Sequence, residues 1–157
     1  MRLVQLEILN SILPKRGVRD DPNLVLDVSG VPLDDAAPKH VGYHIEKIRK
    51  MSSELTSILD QQASRCREFA DFNLQREGIV NIVFVDKSGD CQSVAMATLI
   101  TNYLSMAAPR FIIRENHRNR SKWRCPATCE ACNININGAP LREVIVQSVL
   151  SLHARLA

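Results

Sequence analysis

Several things are missing from this sequence, and each absence narrows the field. No apolar run approaches the ~20 residues that a membrane-spanning helix needs. The first residues, MRLVQLEILNSILPKRG, carry one early Arg, but Gln5, Glu7 and Asn10 interrupt their apolar positions. They form no signal-peptide core, and no small-residue cleavage site follows. The reading is therefore no membrane insertion and an intracellular protein. Cytoplasm and organelle interior (mitochondrion or plastid) are not distinguished. There is no internal repeat and no low-complexity tract. What is there is one domain's length, 157 residues, 45% hydrophobic and 24% charged, which fits a folded globular chain rather than a disordered one.

The net charge of +3 hides an uneven distribution. Between residues 110 and 124, Arg110, Arg114, Arg118, Arg120, Lys122 and Arg124 face only Glu115, for a local charge of +5. The rest of the chain is therefore near −2. Such a segment can contact nucleic acid, an acidic partner, anionic lipid or a bound phosphate, or simply be a solvated loop. Trp123 is the one aromatic interleaved with the basic residues from Arg114 onward, which argues against base stacking on a single strand.

Periodicity predicts strands alternating with helices. Residues 3–9, the run Leu24–Val28, the nearly all-apolar Ile79–Val85 and Phe111–Ile113 read as strands. The Ile79–Val85 run suggests a central parallel strand covered on both faces. From Tyr43 to Leu74 the period is helical, with Leu55, Ile58, Leu59, Ala63, Cys66, Phe69, Ala70 and Leu74 on one stripe. A break is expected near Lys50–Ser53 and an end at Gly78. Ser93–Met106 and Pro140–Leu156 are the other helices. The last should turn Leu141, Val144, Ile145, Val149, Leu152 and Leu156 inward. Alternating strands and helices imply an α/β fold with a mostly parallel sheet, whose ligands sit at the carboxyl ends of strands. Attention falls on DKSGDCQSV, the turn after the strongest strand, where backbone N–H groups and a helix dipole could receive an anion.

Three blocks resemble the C-terminal domain of the RapZ family, bacterial RNase adapter proteins. Ser11–Pro32 is similar to the family's opening block, with its Lys-His-Gly turn and its D-x-x-x-D-V-R strand end. Val80–Leu104 is similar to its strand, C-T-G-G-x-H-R-S-V loop and following helix, and Arg110–Arg118 to its last strand. The resemblance covers roughly residues 8–118. It implies a doubly wound α/β domain over 1–118, flanked by helices, that binds glucosamine-6-phosphate and takes part in RNA binding and oligomerisation. Residues 119–157, a Cys-containing loop and an amphipathic helix, are then an extension packed on the same domain.

Carried over by residue, the implied ligand site has Arg16, Asp27, Lys87, Ser88, Gly89, Ser93 and Arg114, but is damaged. Lys15, Gly17, Asp27, Gly89, Ser93 and Val94 match. Asp86 stands for the loop Cys, Lys87 for its Thr, Ser88 for the first Gly, and Cys91 and Gln92 for the His-Arg pair. Arg16 stands for the upstream His, and Ser29 for the Arg after the second strand. Gln92 cannot replace a bidentate phosphate donor. The same residues exclude the mechanism of the low-molecular-weight tyrosine phosphatases, which needs a thiolate and an Arg where this chain has Asp86 and Gln92. Asp27 alone reads as a loop-holding acceptor.

Cys125, Cys129 and Cys132, with His117, could complete a tetrahedral zinc site. Free or redox-linked thiols are the alternative, and Cys91 could approach them in space. Radical-SAM chemistry is set aside because the chain is too short for the barrel it uses. No nucleophile, base and orienter can be assembled, so an enzyme is not expected. The expectation is a non-enzymatic structural or binding subunit of a larger assembly, with protein partners. A chain without the family's N-terminal nucleotide-binding part points the same way. The alternatives are a sensor of a small anion at the 86–93 loop, and an RNA-contacting adapter through residues 110–124.

Overall fold

The structure, a computed structural model, describes residues 2–10, 23–32, 45–77, 79–86, 92–117 and 139–157. They form strands β1 (Arg2–Asn10), β2 (Asn23–Asp27), β3 (Ile79–Asp86) and β4 (Phe111–His117). The helices are α1 (Ile45–Glu54), α2 (Thr56–Glu77), α3 (Gln92–Ala107) and α4 (Ala139–Leu156). The sheet runs in the order β2-β3-β1-β4.

This is an α/β fold with a mixed sheet. The expected mostly parallel, doubly wound sheet is corrected: β2 is parallel to β3, but β1 is antiparallel to both β3 and β4. β3 therefore has one parallel neighbour, β2, and one antiparallel neighbour, β1, rather than two parallel ones. Apolar content marks a strand as buried but carries no sign of its direction. The helices also differ from a doubly wound layer. α2 and α3 touch each other and both touch β1 and β3, which puts them on one face of the sheet. α1 and α4 pack on each other and on α3, behind that layer.

Burial differs between the strands: β3 is buried at Ile79, Val80, Asn81 and Ile82 in succession, on both of its faces, as its apolar run suggests, whereas β2 alternates. In β2, Leu24 and Leu26 are buried while Asn23, Val25 and Asp27 are exposed. That alternation is what one covered face demands. Register places Leu6 between Ile82 and Glu115, and Ile8 between Val80 and Ile113. Leu6, Ile8, Leu24, Leu26, Ile82 and Phe84 thus share the core face.

α2 carries Leu59, Ala63, Cys66, Ala70 and Leu74 on one fully or almost fully buried stripe. The break before it falls at Leu55, a little later than Lys50–Ser53, and Leu59 N–H still reaches back to the Leu55 carbonyl at 3.0 Å. α3 is buried at every position from Gln92 to Ile100, as befits a helix with sheet on one side and helices on the others. Pro109 occupies the second position of the turn from α3 to β4, whose closing bond runs from Phe111 N–H to the Ala108 carbonyl at 2.9 Å. Proline's fixed φ suits that position. β4 continues past Ile113 to His117. In α4, Leu141, Val149 and Leu152 are buried, and Val144, Ile145 and Leu156 pack against the core. No helix among the described residues is long and apolar enough to cross a membrane.

Candidate functional site at the carboxyl ends of β2 and β3

The parallel pair β2–β3 brings two strand ends together. Asp27 lies opposite Val85, and Val28 N–H donates to the Val85 carbonyl at 2.8 Å. Beyond Asp27 the chain turns sharply, with Val31 N–H donating to the Val28 carbonyl at 3.1 Å. The Asp27 carboxylate accepts from the Ser29 N–H at 3.0 Å, an Asx arrangement that steers the chain out of the strand. Asp27 thus holds its own loop, although it remains exposed.

β3 ends at Asp86, and α3 opens at Gln92. The Asp86 side chain has no solvent exposure, Gln92 is buried, and so is Ser93. The Ser93 hydroxyl has no hydrogen-bond partner among the described residues. The start of a sixteen-residue helix with a strand end before it is the architecture an anion needs. The chemistry set into it is a carboxyl and an amide. An ionised carboxyl repels an incoming phosphate, and an amide offers no charge in return.

Lys87, Ser88 and Gly89, with Asp90 and Cys91, lie outside the described residues, as does Arg16. Arg114 is described and is not part of this site. It is paired with Glu7 on β4, two strands from β3, whereas Asp86 pairs with Arg2 at the other end of β1. The two positions are separated by about 17 Å along the strands and about 10 Å across them. They also alternate onto opposite faces. The resemblance assigned Arg114 to the site from its place in the last strand, but the antiparallel β1 between β3 and β4 carries it away.

The basic segment is described only as far as His117. Arg110 donates to Asp71 at 2.7 Å, and its guanidinium lies 5.3 Å from the centre of the Phe111 ring. Arg114 is 3.6 Å from Glu7 and largely exposed. Asp71 also sits 3.7 Å from Arg67, which donates to the Tyr103 hydroxyl at 3.2 Å. That hydroxyl, more than the nearby Asp71, raises the Arg67 pKa. Two of the six cations are thus partnered by carboxylates on β1 and α2. Sequence reading missed both partners, because nothing local to Glu7 or Asp71 signals a pairing this distant in the chain. Arg118, Arg120, Lys122 and Arg124 lie outside the described residues, as do Cys125, Cys129, Cys132 and the His117 side chain. Of the cysteines, Cys66 is described, a buried free thiol in α2. Comparison with family models, curated proteins and solved structures finds no match to this chain.

Proposed function

We propose that the chain is a non-enzymatic binding or structural subunit of a larger assembly, built on a RapZ C-terminal-like α/β domain that has lost its phosphosugar. One observation carries this reading. Asp86, fully buried, fills the strand end where the family resemblance expects a thiol, and Gln92 opens α3 where it expects the phosphate-binding Arg. A dianionic phosphate brought to the start of α3 would meet a carboxyl group in a space closed to water, where electrostatic repulsion is poorly screened. The backbone scaffold of an anion site would then persist as a structural corner between β2, β3 and α3. The two partnered cations, Arg110 and Arg114, support this reading over an RNA adapter, since their charge already answers Asp71 and Glu7.

The test is thermal unfolding of the purified chain with and without millimolar glucosamine-6-phosphate. A ligand that binds only the folded state raises the melting temperature by mass action. The expected result is no change. A rise of several degrees would overturn the proposal and favour an anion sensor at residues 86–93.

A further inference from the structure

Asn81 is the one polar residue in the otherwise apolar run Ile79–Val85. It is 8% exposed, and both its place in a strand and its burial disfavour an amide. A local rule broken in the middle of a sheet points to a functional or strained position. Register gives the surroundings of Asn81. Asn23, Asn81, Glu7 and Arg114 stand side by side, one from each strand, on the face turned away from α2 and α3. On the next row Gln5 and Asn116 continue the polar character over β1 and β4, beside Val83 and Val25. A polar band therefore crosses the whole sheet, about 14 Å from β2 to β4.

The β1–β4 half of the band forms a concavity of about 330 Å³ lined by Gln5, Glu7, Arg114 and Asn116. Small-molecule sites span roughly 300–1,000 Å³, so it is large enough for a small ligand. The lining is held in place from β3. Gln5 Nε2 donates to Asn81 Oδ1 at 2.9 Å, which offsets the cost of burying Asn81 and orients the Gln5 amide. Arg114 Nη1 lies 3.6 Å from Glu7 Oε1. At that separation the charges balance without a hydrogen bond between them, so both groups keep hydrogen-bonding positions for a ligand.

We propose that this concavity binds a neutral polyhydroxylated ligand, a short saccharide laid across the strands. Three properties select that class. The one positive and one negative charge cancel, so the site favours neither a phosphate nor a cation. No apolar or aromatic side chain is among the four lining residues, so an apolar ligand or a stacked base gains little there. A guanidinium only donates, a carboxylate only accepts and two amides do both; hydroxyl groups, which donate and accept, match all four. The concavity lies on the face opposite Asp86 and is independent of the β2–β3 corner.

The test titrates the full ¹⁵N-labelled chain with three neutral trisaccharides, maltotriose, cellotriose and triacetylchitotriose, and with the anionic trigalacturonate. At least one neutral trisaccharide should move the amide signals of Gln5, Glu7, Arg114 and Asn116 in a saturable way. Trigalacturonate should bind at least about tenfold more weakly. Asn116→Ala should weaken the neutral sugar about threefold to tenfold at an unchanged urea midpoint. Glu7→Gln leaves Arg114 unopposed, so it should strengthen trigalacturonate at least about fivefold while weakening the neutral sugar. No shifts with any neutral trisaccharide, shifts confined to another surface (Ser93 included), or trigalacturonate binding as tightly would overturn the proposal. So would an Asn116→Ala chain that binds as before, or a Glu7→Gln chain with the original preference.

Discussion

Cys66 lies on the buried stripe of α2 between Ala63 and Ala70, and burial pushes its thiol up to about 12, with Arg65 only partly opposing the shift. A thiolate is the nucleophile in alkylation and disulfide exchange, so a thiol held protonated is inert. In the native chain Cys66 should therefore resist iodoacetamide at pH 8 and react only on unfolding. The sign of the pH effect follows. Above the ordinary thiol value of 9.0 the unfolded chain loses this proton while the folded chain keeps it, up to about 12. The folded state then binds more protons, and stability falls as pH rises through that window, by about 1.4 kcal/mol per pH unit from this group. Urea unfolding at pH 9 and pH 10.5 should show the slope, and Cys66→Ala should flatten it. A slope that the variant shares would assign it to other groups.

Among the elements, α4 is tied to α2 by a pair that joins distant parts of the chain. Arg155 Nε lies 2.9 Å from both carboxylate oxygens of Asp60, and Nη2 lies 2.8 Å from Oδ1. Both side chains are more than two-thirds buried, so solvent screens the pair less than it would an exposed one. A planar fork on a carboxylate is the strong form of such a contact. Next to it, the His153 ring lies 6.3 Å from that of Tyr103 on α3. Asp60→Asn should cost about 1 kcal/mol, and Arg155→Met alone about the same. The double variant should cost little more than either single one, because the two act as a unit. Hydrogen exchange should quicken in the last turns of α4 before it does in β3. The helices were the legible part of this molecule. The Leu59–Leu74 stripe and the inward face of α4 can be read from spacing because 3.6-residue periodicity is written locally. Val146 and Leu150 were legible as apolar but not as outward. Deciding which of two apolar stripes on a helix is the core side needs its neighbours, and these come from α1, α2 and α3.

For the whole molecule, what could not be read was strand order. Sequence places β1 first, and nothing in its residues marks it as the strand that joins β3 to β4. The connections that decide this are long-range, and side-chain alternation is the same in either direction. The same blindness put Arg114 in a site from which β1 separates it. The Asp27 loop was legible because its partner, Ser29, is two residues away. Strand order has a measurable consequence. Leu6 is fully buried at the centre of the sheet, with β3 on one side and β4 on the other. Val25, on edge strand β2, is 58% exposed. Leu6→Ala should cost about 2–5 kcal/mol, the range for emptying a closed core position. Val25→Thr keeps the β-branched shape on an open face and should change stability by no more than about 0.5 kcal/mol. Urea midpoints at constant slope separate the two. If β1 were instead an edge strand half open to water, Leu6→Ala would fall toward the Val25 value. A large loss at Leu6 beside near-neutrality at Val25 is the pattern expected of the order β2-β3-β1-β4.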